Sequence, residues 1–191
     1  MPVDEATLVS QVRRGNEAAF VILYSRHRTA LFGFAWRMTG SAEFAEDVIQ
    51  ECFLTLARGS AFDAGRARLQ TYLFGVARHL VLRHLRVSGR ESVELEDSPG
   101  PCDVLEDLLS AERSELVRQA IASLPALQRE AVILFEYEEL SLDAIATIAE
   151  ADVGAIKARL RRARESLRKR LEPLLFSDTL FCRSRHSTFW M

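Results

Sequence analysis

The sequence predicts an all-α fold of two small helical domains joined by a flexible acidic linker, the second domain containing a helix-turn-helix. Three observations carry this. Apolar residues recur at three, four and seven along most of the chain, the helical period. Proline does not occur between Val3 and Asp97. The cluster Ser98-Pro99-Gly100-Pro101 then breaks the pattern before a second periodic stretch begins.

The chain has 191 residues, of which 48% are hydrophobic and 27% charged. That suits one large or two small domains with an ordinary core and a charged surface. The net charge of -2 excludes global attraction to nucleic acid, so any DNA binding must come from locally gathered Lys and Arg. Cys52, Cys102 and Cys182 lie far apart without a C-x-x-C pair, which suggests neither a zinc site nor a disulfide framework and fits a reducing cytoplasm. The start, Met1-Pro2-Val3-Asp4-Glu5, is acidic and unlike a signal peptide. No apolar run approaches the roughly 20 residues of a membrane helix, so no membrane insertion is expected.

The first domain is expected over residues 1–87. Phe20, Leu23, Tyr24, Leu31, Phe34, Ala35 and Met38 fall on one helix face, with an end near Thr39-Gly40 and Ser41 capping the next helix. That next helix buries Ala45, Val48, Ile49, Cys52, Phe53 and Leu56 and turns Glu43, Glu46, Asp47, Gln50 and Glu51 outward. Gly59 to Arg68 reads as a loop containing Phe62. A helix from about Leu69 to Val87 follows, with Leu69, Leu73, Val76 and Leu80 as its apolar stripe and Arg78, His79, Arg83, His84 and Arg86 as polar and basic surface.

Residues 88–104 read as the linker, made acidic by Glu91, Glu94, Glu96, Asp97 and Asp103. The second domain, 105–172, opens with a helix to Ala122 and continues with one through Gln128 to Tyr137. Ser141 then caps a short helix to Ala149, and Asp152 caps a long one to about Leu171. Two helices across a three-residue turn are the signature of a helix-turn-helix.

In that last helix Ile156, Leu160, Ala163 and Leu167 form a core stripe. Lys157, Arg161, Arg164 and Arg168 repeat the spacing one residue on, beside Arg162. A recognition helix needs such a split, because its back packs on the domain while its front meets phosphates and base edges in the major groove. Val153, Gly154 and Ala155 are small enough to let the backbone approach DNA, and the helix start attracts a phosphate. Glu150 stands in the turn, where a residue other than Gly must adopt or avoid a positive φ. The tail, 173–191, has no convincing period. Its Cys182 and His186 do not make a zinc site, and neither a catalytic constellation nor a phosphate-binding glycine loop is found.

Both halves resemble the extracytoplasmic-function (ECF) sigma factors of the sigma-70 family. Ala45-Glu46-Asp47-Val48-Ile49-Gln50-Glu51-Cys52-Phe53-Leu54 looks like the family's polymerase-clamp helix, with Phe44 where Asp is common. Tyr72-Leu73-Phe74-Gly75-Val76-Ala77-Arg78-His79 is similar to the family's promoter-melting helix, with Tyr72 in place of Trp and His79 in place of Asn. Val153-Gly154-Ala155-Ile156-Lys157-Ala158-Arg159-Leu160 resembles its upstream-element helix.

The resemblance implies a sigma factor rather than an enzyme, without cofactor or metal, whose partners are core RNA polymerase, promoter DNA and an anti-sigma factor. It implies polymerase binding through Asp47, Gln50, Glu51 and Phe53. It implies contact with the -10 element through Phe62, Arg66, Arg68, Tyr72, Arg78, His79, Arg83 and Arg86, since extruded bases need aromatic faces and separated strands need cations. At the -35 element it implies Val153, Lys157, Ala158, Arg161, Arg162 and Arg164. Read from the residues alone, a stand-alone helix-turn-helix regulator remains the alternative.

Overall fold

The computed structural model describes residues 4–59, 62, 63, 65, 67–89 and 108–176, the side chains of 108–113 and 173–176 excepted. It is helical, with no strand among the described residues. The first domain holds α1 (Glu5–Arg13), α2 (Glu17–Thr39), α3 (Ala42–Ala57) and α4 (Leu69–Val87). The second holds α5 (Leu108–Ala122), α6 (Ala126–Val132) running on into a π-helical turn (Ile133–Tyr137), α7 (Leu142–Ala149) and α8 (Val153–Phe176). Most of the expected linker lies outside the described residues.

Local chemistry sets the helix ends. Gly40 adopts a left-handed φ of 76° after α2, and the Ser41 side chain accepts from the Phe44 amide to begin α3. Asn16 does the same for α2, accepting from Ala19 at 3.1 Å after Gly15 has turned the chain at φ 83°. This Gly-Asn break between α1 and α2 is a turn signal that the periodicity reading passed over. Ser141 starts α7 and Asp152 starts α8 through the amides of Ala144 and Ala155. Glu150 takes the positive φ, 50°, that its place in the turn demanded.

The core of the first domain is the meeting of α2, α3 and α4. Leu23, Leu31, Phe34, Ala35 and Met38 of α2 are buried, as are all six of the residues expected on α3. Phe34 and Phe74 meet edge to face at 5.5 Å, a geometry worth about 0.5–1.5 kcal/mol beyond the area it buries. The face of α4 differs from expectation. Phe74, Ala77, Val81 and Leu85 are buried with Leu69 and Leu73, while Val76 and Leu80 are half-buried. Because α4 packs on α2, α3 and α7, its inward side is wider than one stripe and lies a residue round from the one the spacing suggested. The Cys52 thiol, in this core, is pushed up to about 12 by burial, which makes it an unreactive packing group.

In the second domain Ile156, Leu160 and Ala163 of α8 are buried, with Leu167 partly so. The helix continues to Phe176 rather than ending near Leu171. The helix expected from Gln128 to Tyr137 is α6 with its π turn, and residues 105–107 lie outside the described residues.

The two cores are continuous, because α2 meets α5, α6 and the π turn while α4 meets α7. At this junction sits Arg129, 0% exposed. Its guanidinium donates to the carbonyls of Met38 at 2.7 Å, Ala122 at 2.5 Å and Leu124 at 2.9 Å. Met38 lies in the last turn of α2 and Ala122 ends α5, so one side chain caps two helix C-termini from different domains. Burial lowers its pKa to about 10, which leaves it charged at neutral pH. Arg129→Met should therefore cost about 3 kcal/mol, since it strands three carbonyls away from water. Urea denaturation of the full chain would measure it, and a loss under about 0.5 kcal/mol, the size of an ordinary surface change, would contradict the capping role.

Candidate promoter and polymerase interface

The acidic residues of α3 emerge on its outer side because Ala45, Val48, Ile49 and Cys52 fix the opposite side in the core. Asp47 and Gln50 are exposed and Glu51 half-exposed, with Arg58 at 3.8 Å from Glu51. Phe53 is different. It is 2% exposed and packs its ring against Phe20 at 5.7 Å and Tyr24 at 5.1 Å, so the expected contact with a partner is corrected to a packing role that seats α3 on α2. Phe44, where the motif departs from the family's Asp, stacks on His84 of α4 with ring centres 3.9 Å apart. It clamps the start of α3 to the end of α4.

The aromatics expected at separated DNA come together. Phe62 and Tyr72 are half-buried with ring centres 5.4 Å apart, and Arg13 of α1 donates to the Phe62 carbonyl at 3.2 Å. A shallow cavity of about 330 Å³ opens beside them, lined by Ser10, Arg13, Arg14, Phe62 and Asp63 among others. Arg68, His79, Arg83 and Arg86 are exposed. Arg66 lies outside the described residues. Arg78 does not face solvent freely: it ion-pairs with Glu130 of α6, the two side chains being 16% and 1% exposed.

On α8, Lys157, Arg161 and Arg162 are exposed and Val153 and Ala158 half-exposed, Val153 packing partly against the core. A Cβ on Gly154 would come within 2.9 Å of Asp152 Oδ1, the atom that caps the helix, so a small residue serves the cap as well as any close approach to DNA. Arg164 is exposed as well, and it pairs with Glu136 at 2.9 Å and lies over the Phe135 ring at 5.4 Å.

The sequence reading gave no role to the charged groups at the domain junction. Burial raises the Glu130 carboxyl, against the pull of Arg78 and Arg159. Glu138 is pushed up to about 7 by burial, opposed by Arg37, whose guanidinium lies 4.3 Å over Tyr137. An isolated Glu followed by no helical partner gave no signal of this in the sequence, because the partners arrive from α2.

Residues 23–91 match the family model for sigma-70 region 2, and residues 114–167 match that for sigma-70 region 4. The chain is 33% identical to the RNA polymerase sigma-H factor of Pseudomonas aeruginosa, over 88% of this chain and 94% of that protein. It is 30% identical to the ECF RNA polymerase sigma factor SigW of Bacillus subtilis, over 87% and 96%. Among solved structures it resembles the sigma factor RpoE of Bartonella quintana in complex with the anti-sigma factor NepR, with a TM-score of 0.66 and 27% identity over 80% of this chain and 96% of that one. The fold is also that of CnrH bound to the cytosolic domain of CnrY, TM-score 0.65 at 23% identity, over 91% and 97%. The chain belongs to the sigma-70 family as an ECF sigma factor. It binds core RNA polymerase and directs promoter-specific initiation at the -10 and -35 elements.

A pH dependence follows from Glu138. The folded chain keeps this proton up to about pH 7, whereas the unfolded chain loses it near 4.5. Stability therefore falls as pH rises through that window. Glu138→Gln should match the native chain below about pH 4.5 and exceed it above pH 7. Urea midpoints across this range would show it, and parallel curves for the two proteins would contradict it.

Proposed function

We propose a division of labour along the chain. Residues 1–87 bind the polymerase clamp and melt the -10 element, 88–104 tether, and 105–172 read the -35 element; no role is assigned to 173–191. The clamp face is Asp47, Gln50 and Glu51, seated by Phe53. At the -10 element Phe62 and Tyr72 receive unstacked bases while Arg68, Arg78, His79, Arg83 and Arg86, with Arg66, hold the strand. At the -35 element Val153, Lys157, Ala158, Arg161, Arg162 and Arg164 meet the major groove.

The observation that carries this reading is the split surface of α8, apolar at Ile156, Leu160 and Ala163 and cationic at Lys157, Arg161 and Arg162. A tether between two weak DNA contacts raises the effective concentration of the second once the first has formed. The chain performs no chemistry of its own; polymerase supplies the reaction. It works in the cytoplasm. Among the described residues no helix is long and apolar enough to cross a membrane. Because its Bartonella relative was solved with an anti-sigma factor, this chain too takes such a partner.

Promoters are found by runoff transcription from genomic fragments with and without this protein. On one of them, Lys157→Ala and Arg161→Ala should each weaken holoenzyme binding and take about one unit from the slope of log affinity against log salt; an unchanged slope would remove these residues from the DNA. Asp47→Arg should weaken binding to core polymerase about tenfold or more through like-charge contact. Native affinity in a core-binding titration would move the clamp contact to another face.

A further inference from the structure

Helices α3 and α4 pack together and meet near both ends of α4. Near its start the Cys52 thiol donates to the Leu73 carbonyl at 3.8 Å; near its end Phe44 stacks on His84, ring centres 3.9 Å apart and planes 26° apart. The two contacts differ in setting. Cys52 and Leu73 are buried in the core, whereas Phe44 and His84 are half-buried at its edge. After Val81, Leu85 is the one buried side chain of α4, with Leu82 packed partly against the core. The exposed Arg83 and Arg86 stand on this same stretch. His84 lies about 100° round the helix axis from Leu85. A helix end gripped on one side can roll about its axis; gripped on two sides it cannot.

We propose that Phe44 is a positioning residue for promoter melting: its ring, stacked on His84, holds the last turns of α4 so that Arg83 and Arg86 face the separated -10 strand. The inference rests on the reading that those two arginines hold that strand. Asp47 and Gln50 follow Phe44 by three and six residues on α3, so the helix gripped by polymerase also orients the cations. The departure from the family pattern separates this role from plain stability. An acid at this place, in the first turn after the Ser41 cap, favours the positive end of the helix, and Phe gives that up. Phe44→Asp therefore removes the stack while adding a second first-turn acid beside Glu43.

The test uses holoenzyme assembled from core polymerase and the full chain, on a promoter found by runoff transcription. Permanganate reactivity of unpaired thymines follows open-complex formation at saturating holoenzyme, and core affinity is titrated separately. Phe44→Asp should slow opening about fivefold, the size expected for loss of one aromatic pair. Core affinity and the urea midpoint of the free chain should stay near native. Phe44→Tyr and His84→Phe each keep ring against ring and should open at the native rate. His84→Ala breaks the stack from the other side and should match Phe44→Asp; the two together should be no slower than either alone.

Opening at the native rate by Phe44→Asp or His84→Ala, folded by circular dichroism, would overturn the proposal. So would a slow His84→Phe, or losses that multiply in the double variant, because the two rings would then not act through one contact. Core binding weakened in step with opening would overturn it too, moving Phe44 into the clamp contact. Arg83→Ala combined with Arg86→Ala tests the underlying reading by itself. A native rate there would remove these arginines from the strand; a slow one beside a native Phe44→Asp would sink the positioning role alone.

Discussion

The arrangement of the free chain depends on one buried guanidinium. Helix ends leave carbonyls without partners and carry partial negative charge. In this fold α2 and α5, from different domains, end close enough together for Arg129 to reach both. A charge buried to this degree would be costly alone. The converging helix ends supply the negative potential and the acceptors that hold it, and Arg129 in turn fixes the angle at which the second domain meets the first. Glu130, the next residue, then falls opposite Arg78 of α4. Two adjacent charged residues on a single turn of α6 thereby set both the packing and the electrostatics of the junction.

The proposed clamp face of α3 is created inside the first domain, where Phe53 locks the helix on Phe20 and Tyr24, so Asp47 and Gln50 face outward whatever the second domain does. The proposed recognition face of α8 is likewise fixed within the second domain, by Ile156, Leu160 and Ala163. On α4 the cations divide, Arg78 lying against Glu130 of α6 while His79, Arg83 and Arg86 stay exposed.

Departures from the family pattern have local explanations of different kinds. Phe44, where Asp is usual, exchanges a polar helix start for a stack on His84; the first turn keeps Glu43 as its acid and Ser41 as its cap, so the helix start loses little. Glu150 takes the left-handed conformation at 50°, which favours Gly but is reached by other residues when the surrounding helices dictate it. Neither change touches the outward faces.

The sequence by itself determined the helices other than the break between α1 and α2, the caps of α3, α7 and α8 and the buried stripes of α3 and α8, because capping and amphipathic period are local and act within a few residues. Ser41, Ser141 and Asp152 could be read as helix starts, and the cationic line from Lys157 was visible as a spacing. Tertiary structure alone decided which polar residues are withdrawn from solvent. Arg78 has the same sequence appearance as its exposed neighbours, and Arg129 and Glu130 looked like surface charges on a short helix. Their burial comes with partners 52 and 91 residues away along the chain, and one-dimensional periodicity carries no information on contacts made at that separation.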